Sequence, residues 1–174
     1  MDILELWDVY DKNRNLTGKK MERGGEFGKD EYHLVTHVCI FNNKNEMLIQ
    51  QRQPWKKGWS NMWDITVGGS ALSGETSHEA AERETFEEIG YTIDLSNERP
   101  FFTINFEVGF DDYYLIEREI DIKILNLQHE EVQRVKWASK NEIKQLVKEG
   151  AFINYWFTDL LFDMRKQKGA FRKI

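Results

Sequence analysis

The order of apolar and polar residues along the first third of the chain predicts strands joined by turns. Residues 3–10 alternate as a strand does, whereas residues 11–29 are rich in Gly, Lys and Asn and are typical of turn and loop. The runs YHLVTHVCIF (32–41) and EMLIQQR (46–52) are β-branched and apolar, and the turn-forming residues NNKN separate them. This arrangement predicts a β-hairpin.

The pattern changes after a short predicted strand at 63–67 and the glycine pair Gly68-Gly69. Thr76, followed three residues later by Glu79, has the form of a capping box, which predicts a helix over 77–89. Gly90 ends that helix, because glycine readily adopts the left-handed cap conformation. The residues predicted to face inward are Ala80, Ala81, Thr85 and Phe86, with Ile89 near the last turn.

The second half of the chain repeats both kinds of pattern. A second capping box, Ser139 with Glu142, opens a predicted helix through about 149. The other predicted elements are strands at 101–108, 114–125 and 132–138, a turn at 109–112, and a last helix at about 155–168. Strands interspersed with few helices predict an α+β fold in which a mixed sheet packs between helices.

Length and composition limit the classes of protein to consider. The 174 residues contain no internal repeat or linker, so we expect a single domain over 1–174, with the N-terminal strand and loop at 1–31. The formal charge of -6 disfavours nucleic-acid binding. Without a signal-like segment or an apolar run of ~20 residues, we expect a cytoplasmic protein with no membrane partner. The single Cys39 is interpreted as a small buried hydrophobe, and no intramolecular disulfide is possible.

An acidic cluster on the first predicted helix points to metal chemistry. Glu84, Glu87 and Glu88 share one helical side, where like charges cost ~0.2 to 0.5 kcal/mol per pair. A hard divalent cation removes that repulsion, so we predict a Mg²⁺ site, with Mn²⁺ as a substitute. The alternative is a solvated acidic face. The preceding glycine pair, Glu75 and Arg83 favour a ligand site, because bare backbone can approach a phosphate there.

The stretch GGSALSGETSHEAAERETFEEIGY (68–91) resembles the Nudix box, G-x5-E-x7-R-E-U-x-E-E-x-G-U, in which U is aliphatic. Thr85 and Tyr91 depart from the aliphatic positions, which concern packing. Every fixed position of the box, which spans 69–91, is matched: Gly69, Glu75, Arg83, Glu84, Glu87, Glu88 and Gly90. The resemblance implies a Nudix fold, a mixed sheet sandwiched between helices, with the box as loop, helix and loop.

The resemblance also implies roles for the box residues. Glu84, Glu87 and Glu88 correspond to the metal-binding acids, with the Gly69 carbonyl as a further ligand, while Arg83 and Glu75 are similar to supporting residues. The implied substrate is a small-molecule diphosphate, a nucleoside diphosphate derivative or a related organic diphosphate, attacked by metal-activated water. Either Glu87 or Glu88, or a glutamate outside the box, takes the proton from the water.

A second resemblance, to type 1 isopentenyl diphosphate isomerases, covers roughly half the chain, from about 32 to 121. It rests on MLIQQRQPWKKGWSNMWDITVGGS, on His33, and on Glu117 and Glu119. The isomerase, however, needs a cysteine and a histidine where this chain has Gly68 and Ser70, and its box is degenerate whereas this one is intact. Hydrolysis is therefore favoured. An isomerase-like enzyme and a non-catalytic nucleotide-binding Nudix module stay as alternatives.

Charged residues outside the box supply further candidates. Glu119 is the first choice for an additional base or ligand and Glu117 the second, because strand alternation sends both to one face. Arg52, Lys56 and Lys57 are candidates for binding substrate phosphates. The alternative for each is an ordinary solvated surface charge.

Histidines and aromatic residues are more ambiguous. His33 and His37 lie four apart, on one strand face, an arrangement that a zinc site can use, but no third ligand has a recognisable spacing. Trp55 and Trp59 can stack on a base or an isoprenoid tail, or simply pack. The C-terminal run FINYWFTDLLF suits either the core or a homodimer face.

Overall fold

The central strand of the protein, β3, pairs with neighbours on both sides. The computed structural model describes residues 5–166. β1 (Leu6–Tyr10) and β2 (Leu16–Glu22) form a separate antiparallel pair. The main sheet has seven strands, which are β3 (His33–Phe41), β4 (Glu46–Arg52), β5 (Trp63–Asp64), β6 (Val67–Ser70), β7 (Phe102–Phe106), β8 (Gly109–Glu117) and β9 (Val132–Ser139). The helices are α1 (Ser77–Ile89), α2 (Lys140–Lys148) and α3 (Thr158–Met164), with a 3₁₀ turn at Ile122–Ile124.

The main sheet is mixed, and its pairing positions the site. β3 runs parallel to β8 and antiparallel to β6, whereas β7 is antiparallel to β8 and β9 is antiparallel to β4. Alternation along β3 sends Val38 and Ile40 into the core under α1, and Cys39 and Phe41 into the core under α2 and α3. The predicted α+β fold, a mixed sheet between helices, is therefore confirmed. No helix within residues 5–166 is long and apolar enough to cross a membrane.

Helix α1 has the bounds that its local signals predict. The Thr76 hydroxyl accepts from the Glu79 amide, the Glu79 carboxylate accepts from the Thr76 amide at 2.8 Å, and Gly90 ends the helix with a φ of 66°. The predicted inward face is wrong at one residue, since Phe86 is 58% exposed. Glu88, at 6% exposure, turns inward instead, because its partner Gln50 lies on the sheet.

Several predicted boundaries differ from the structure. The loop expected at 11–29 contains β2, which is exposed along most of its length and so lacks an apolar alternation. The predicted hairpin of β3 and β4 pairs only at Phe41 and Met47, since each strand finds other partners. The expected turn at 109–112 is the start of β8, held by bonds to β3 and β7, and the chain leaves the sheet after Glu117.

The C-terminal predictions are partly confirmed. Strand β9 and helix α2 lie where they were expected, and Ser139 with Glu142 forms the second capping box. The last helix is shorter than predicted and begins at Thr158. The predicted end at Lys168 lies outside the described residues.

Candidate active site

The short strand β6 and helix α1 face each other across the position of Gly69. A Cβ at Gly69 would lie 2.1 Å from Oε1 of Glu84, so only glycine leaves room for that carboxylate. The neighbouring Gly68 serves the opposite face of the sheet, where a Cβ would lie 2.2 Å from Cδ2 of His37. The glycine pair therefore admits a carboxylate on one face and an imidazole on the other.

Arg83 ties the loop between β6 and α1 to the helix. Its Nε donates to Oε1 of Glu75 at 2.7 Å and its Nη2 to Oε2 of the same residue at 3.0 Å. Nη1 donates to Glu84 at 2.9 Å and to Glu87 at 3.0 Å, and Nη2 also reaches the Ser70 carbonyl at 3.1 Å. Arg83 therefore fixes both the loop and two of the helix acids.

Two of the carboxylates on α1, Glu84 and Glu88, are costly to ionise where they lie. Burial raises the pKa of Glu84 to about 7, although Arg83 opposes the shift. Burial also raises the pKa of Glu88 well above its ordinary value, with repulsion from Glu84 adding to it and the 2.7 Å bond from Gln50 opposing it. A cation between these groups would stabilise their ionised forms.

The oxygen ligands near Gly69 are of the types that a hard divalent cation prefers, but their side chains are not arranged around a common point. Among residues 5–166, no three His, Cys, Asp or Glu side chains already surround a common point. The reason is that Arg83 binds Glu84 and Glu87 while Gln50 binds Glu88. Three carboxylates and a backbone carbonyl at Gly69, beside a cradle that a Cβ would fill, are nevertheless oxygen ligands of the kind that Mg²⁺ prefers.

A cavity of about 270 Å³ lies against these groups, and its walls are strongly charged. Its carboxylates are Glu5, Glu84, Glu87, Glu88 and Glu131. Its cations are Arg23, Arg52, Lys56 and Arg83. The near balance of charges means that an anionic ligand would meet both signs, and a bound cation would shift the local field toward anion binding.

Comparison with known proteins identifies the family. Residues 31–160 match the NUDIX domain model. The chain belongs to the Nudix family. An uncharacterised Nudix hydrolase of Listeria innocua is 49% identical over 162 residues, which cover 93% of this chain and 96% of that relative. The chain is therefore a Nudix hydrolase. Nudix hydrolases are in general pyrophosphohydrolases, and members of the family generally use divalent metals.

Other relatives show the breadth of the family. The isopentenyl-diphosphate Delta-isomerase of Pectobacterium atrosepticum is 31% identical over 146 residues, covering 79% of this chain and 78% of the isomerase. The crystal structure of DR0079 from Deinococcus radiodurans has a TM-score of 0.72 at 18% identity, covering 92% of this chain and 99% of that one. This structural likeness establishes the Nudix fold alone.

The predicted phosphate-binding residues of this Nudix hydrolase separate in the structure. Arg52 and Lys56 line the cavity, where Lys56 forms an ion pair with Glu131. The Nε of Arg52 donates to the Gly58 carbonyl at 3.2 Å. Lys57 is exposed and does not line the cavity. The structure therefore does not bring Lys57 to the other candidates.

Glu119 and Glu117 also lie away from the Nudix cavity. In the sheet, Glu117 is opposite Phe41 and Gly69 is opposite Thr36, five residues apart on β3, which is roughly 16 Å. Glu119 comes after β8 ends, and its Oε1 accepts from the Asn43 amide at 2.6 Å. The strand-alternation argument does not hold past Glu117, so the structure gives no support to Glu119 as base or ligand.

The two histidines share a strand face without forming a site together. His33 stacks on Trp7 at 4.6 Å and on Phe27 at 4.9 Å, and burial lowers its pKa to about 4. Nδ1 of His37 lies 2.6 Å from Oδ1 of Asp111. Despite burial, carboxylates that surround it, Asp111 first, raise the pKa of His37. Each ring is therefore engaged by its own neighbours.

The remaining aromatic and thiol assignments are simpler. Cys39 is fully buried, which confirms its interpretation as a core residue. Trp55 and Trp59 are 57% and 60% exposed, and neither lines the cavity.

The cavity also contains residues that were not predicted from the sequence, which are Glu5, Trp7, Arg23, Gln128 and Glu131. They come from two distant segments, and no local spacing relates them to the box.

Proposed function

We propose that this Nudix hydrolase cleaves a phosphoanhydride bond in a nucleoside diphosphate derivative or a related organic diphosphate, using Mg²⁺. One observation carries the proposal. Buried Glu88 and partly buried Glu84 line the cavity beside the Gly68-Gly69 backbone, and Arg52 and Lys56 line the same cavity. Acids that favour a cation and bases that favour phosphate thus border one space.

Each residue has a role in the proposal. Glu84, Glu87, Glu88 and the Gly69 carbonyl would hold Mg²⁺, which supplies the positive charge that activates water and stabilises the phosphoryl oxygens. Arg52 and Lys56 bind the phosphate oxygens, Lys56 exchanging its partner Glu131 for the substrate. Glu87 and Glu88 are assigned to proton transfer from the attacking water. Arg83 and Glu75 position the loop.

Isomerisation of isopentenyl diphosphate is the second candidate, and relatives with that name favour it. Two observations count against it. The isomerase-like position 68 carries glycine, and the His37 ring occupies the space where a side chain at 68 would begin. Cys39 lies fully buried in the core under α2 and α3, and burial raises the pKa of its thiol. No thiol is therefore available at the cavity from either residue.

The proposal is tested by product mass analysis after incubation with Mg²⁺. Substrates are nucleoside diphosphates, nucleotide sugars, dinucleotides and isopentenyl diphosphate, and each is run with wild type and with Glu87→Gln. We expect hydrolysis by wild type and a loss of about 100-fold or more in Glu87→Gln. Glu98→Gln is the matched control, since Glu98 is exposed and is not among the residues that line the cavity.

Three outcomes would contradict the proposal. An allylic isomer formed from isopentenyl diphosphate, without hydrolysis of any compound, assigns the isomerase reaction. Binding of a nucleotide without turnover assigns a non-catalytic module. Unchanged hydrolysis by a folded Glu87→Gln protein removes the metal-site assignment.

A further inference from the structure

The carboxylate of Asp64 is buried beside the cavity, at the point where the sheet divides. β3 and β4 pair only at Phe41 and Met47, and β5 pairs with β4 beyond that point, with Asp64 opposite Gln50. Asp64 is 8% exposed and is not among the residues that line the cavity. A carboxylate buried in this way is costly unless charged or hydrogen-bonding partners stabilise it.

Asp64 has two side-chain partners from distant parts of the chain. The Tyr155 hydroxyl donates to its Oδ1 at 2.8 Å, and Nη1 of Arg52 lies 3.8 Å from its Oδ2. Tyr155 is placed by the segment before it, which pairs with β5, since the Ile153 amide donates to the Trp63 carbonyl at 2.9 Å. Asp64 therefore connects a residue of the cavity wall to the chain between α2 and α3.

The ionised form of Asp64 depends on these partners. Burial raises the pKa of its carboxyl, whereas His37, the hydrogen bond from Tyr155 and the charge of Arg52 act against that shift. Removing the Tyr155 hydroxyl would therefore leave the negative charge beside Arg52 less stable.

Arg52 is held by the protein in a way that leaves donors for a ligand. Its Nε donates to the Gly58 carbonyl at 3.2 Å, and Asp64 is its one ion-pair partner among residues 5–166. Lys56, by contrast, is paired with Glu131, which itself lines the cavity, so a phosphate must compete with that carboxylate. Since Asp64 does not line the cavity, Arg52 can bind a phosphate while this ion pair stays in place.

We propose that Asp64 is a positioning residue for Arg52, and that Asp64, held by Tyr155, fixes the guanidinium in the orientation that binds the diphosphate oxygens. The inference rests on the proposed function, in which Arg52 binds the phosphates. The donors of an arginine form a planar fork, so a rotated guanidinium loses a paired contact even where its charge stays in the cavity. Asp64 thus acts on binding through Arg52.

The test is a double-mutant cycle of Asp64 and Arg52. Isothermal titration with Mg²⁺ and imidodiphosphate, the nitrogen-bridged analogue of pyrophosphate, measures binding to wild type, Asp64→Asn, Arg52→Ala and the double variant. We expect the affinity to fall about 10- to 100-fold in Arg52→Ala and about 10-fold in Asp64→Asn. In the Arg52→Ala background, Asp64→Asn should change the affinity by less than about twofold, because the residue that Asp64 positions is gone.

Tyr155→Phe keeps the ring and removes only the hydroxyl, so it provides the test if Asp64→Asn does not fold. We expect its affinity to fall about threefold with Arg52 present and to stay unchanged in the Arg52→Ala background. Asp163→Asn is the matched control, since Asp163 also pairs with a cation, Lys140, and does not line the cavity. This control should bind imidodiphosphate as wild type does.

Equal losses of affinity with and without Arg52 would overturn the positioning role, because a purely structural residue acts equally in both backgrounds. Unchanged binding in a folded Asp64→Asn protein would overturn it too, as would a wild type that does not bind imidodiphosphate. Kinetics on any diphosphate that is hydrolysed give a second readout, since Asp64→Asn should divide its loss between KM and kcat as Arg52→Ala does.

The same experiments separate this inference from the proposed function. Hydrolysis of a diphosphate together with equal losses in the two backgrounds leaves the proposed function intact and overturns the role of Asp64. Binding of imidodiphosphate that depends on Asp64 only when Arg52 is present, without hydrolysis of any diphosphate, supports the role of Asp64 and overturns the proposed function.

Discussion

Replacing Gly69 by alanine tests whether the position of the Glu84 carboxylate determines the rate of hydrolysis. The new Cβ would lie 2.1 Å from Oε1 and 2.2 Å from Cδ of Glu84. Ordinary contact begins at 3.4 Å, so the carboxylate must move by roughly 1.3 Å. A displacement of about 1 Å at a catalytic group can cost about 100-fold in rate. Because the clash is with the far end of a long side chain and not with backbone, we expect that loss in kcat/KM with less than about 1 kcal/mol of lost stability.

Alanine substitutions at two other glycines serve as comparisons that separate a loss of stability from a loss of activity. Gly68→Ala meets the His37 ring at 2.2 Å, and that ring is held by Asp111, so we expect a loss of stability of about 1–3 kcal/mol. Gly58→Ala meets nothing within 4 Å and should behave as wild type. Steady-state kinetics and urea denaturation of the three variants give both quantities. Full activity in a folded Gly69→Ala protein would refute the assigned role of the Glu84 carboxylate.

Three further predictions follow from the same contacts. Arg83→Lys loses the paired bonds to Glu75, so kcat/KM should fall about 10- to 100-fold, and wild-type kinetics would contradict this. Asp112→Asn leaves Arg14, in the turn between β1 and β2, without its buried partner and should cost about 3 kcal/mol in urea denaturation. A change below the error of the method would count against a stabilising role for this ion pair. The pKa of Glu84 is raised to about 7 in the folded state, which then binds more protons than the unfolded state. Its contribution to stability, at most roughly 3 kcal/mol, is therefore present below pH 4.5 and lost as the pH rises through about 7. In EDTA, the difference in unfolding free energy between wild type and Glu84→Gln should change over this pH range, and Mg²⁺ should reduce the change. A difference in unfolding free energy that does not vary with pH would contradict the prediction.

Helix α1 could be predicted from the sequence because its signals are local. The capping box, the glycine that ends the helix and the spacing of the acids all lie within sixteen residues of one another, from 75 to 90. Apolar periodicity nevertheless assigned Phe86 to the inward face, where the structure has Glu88. Periodicity measures hydrophobic burial alone, and here a buried carboxylate is stabilised by Gln50 from a different part of the chain.

The parts that could not be predicted depend on distant segments. Glu5, Trp7 and Arg23 reach the cavity only because the N-terminal hairpin docks on the box loop, and Glu131 does so through the pairing of β4 with β9. Residues 109–112 are of turn-forming types, but the turn predicted there is part of a strand for a related reason. Their backbone groups pair with two strands, and Asp112 is satisfied by side chains from three other elements. Local propensity carries no information about such partners.

The glycine pair in β6 serves the two faces of the sheet separately. Because successive strand residues point to opposite faces, Gly69 affects Glu84 while Gly68 affects His37. A thiol at position 68 would displace an imidazole that bonds to Asp111 and stacks on Tyr113, so a cysteine there requires a second change at position 37. The acids of α1 lie on the other face and are untouched by that exchange. In this chain, positions 68 and 37 are therefore coupled, and a larger residue at position 68 requires a change at position 37 while the acids of α1 stay in place.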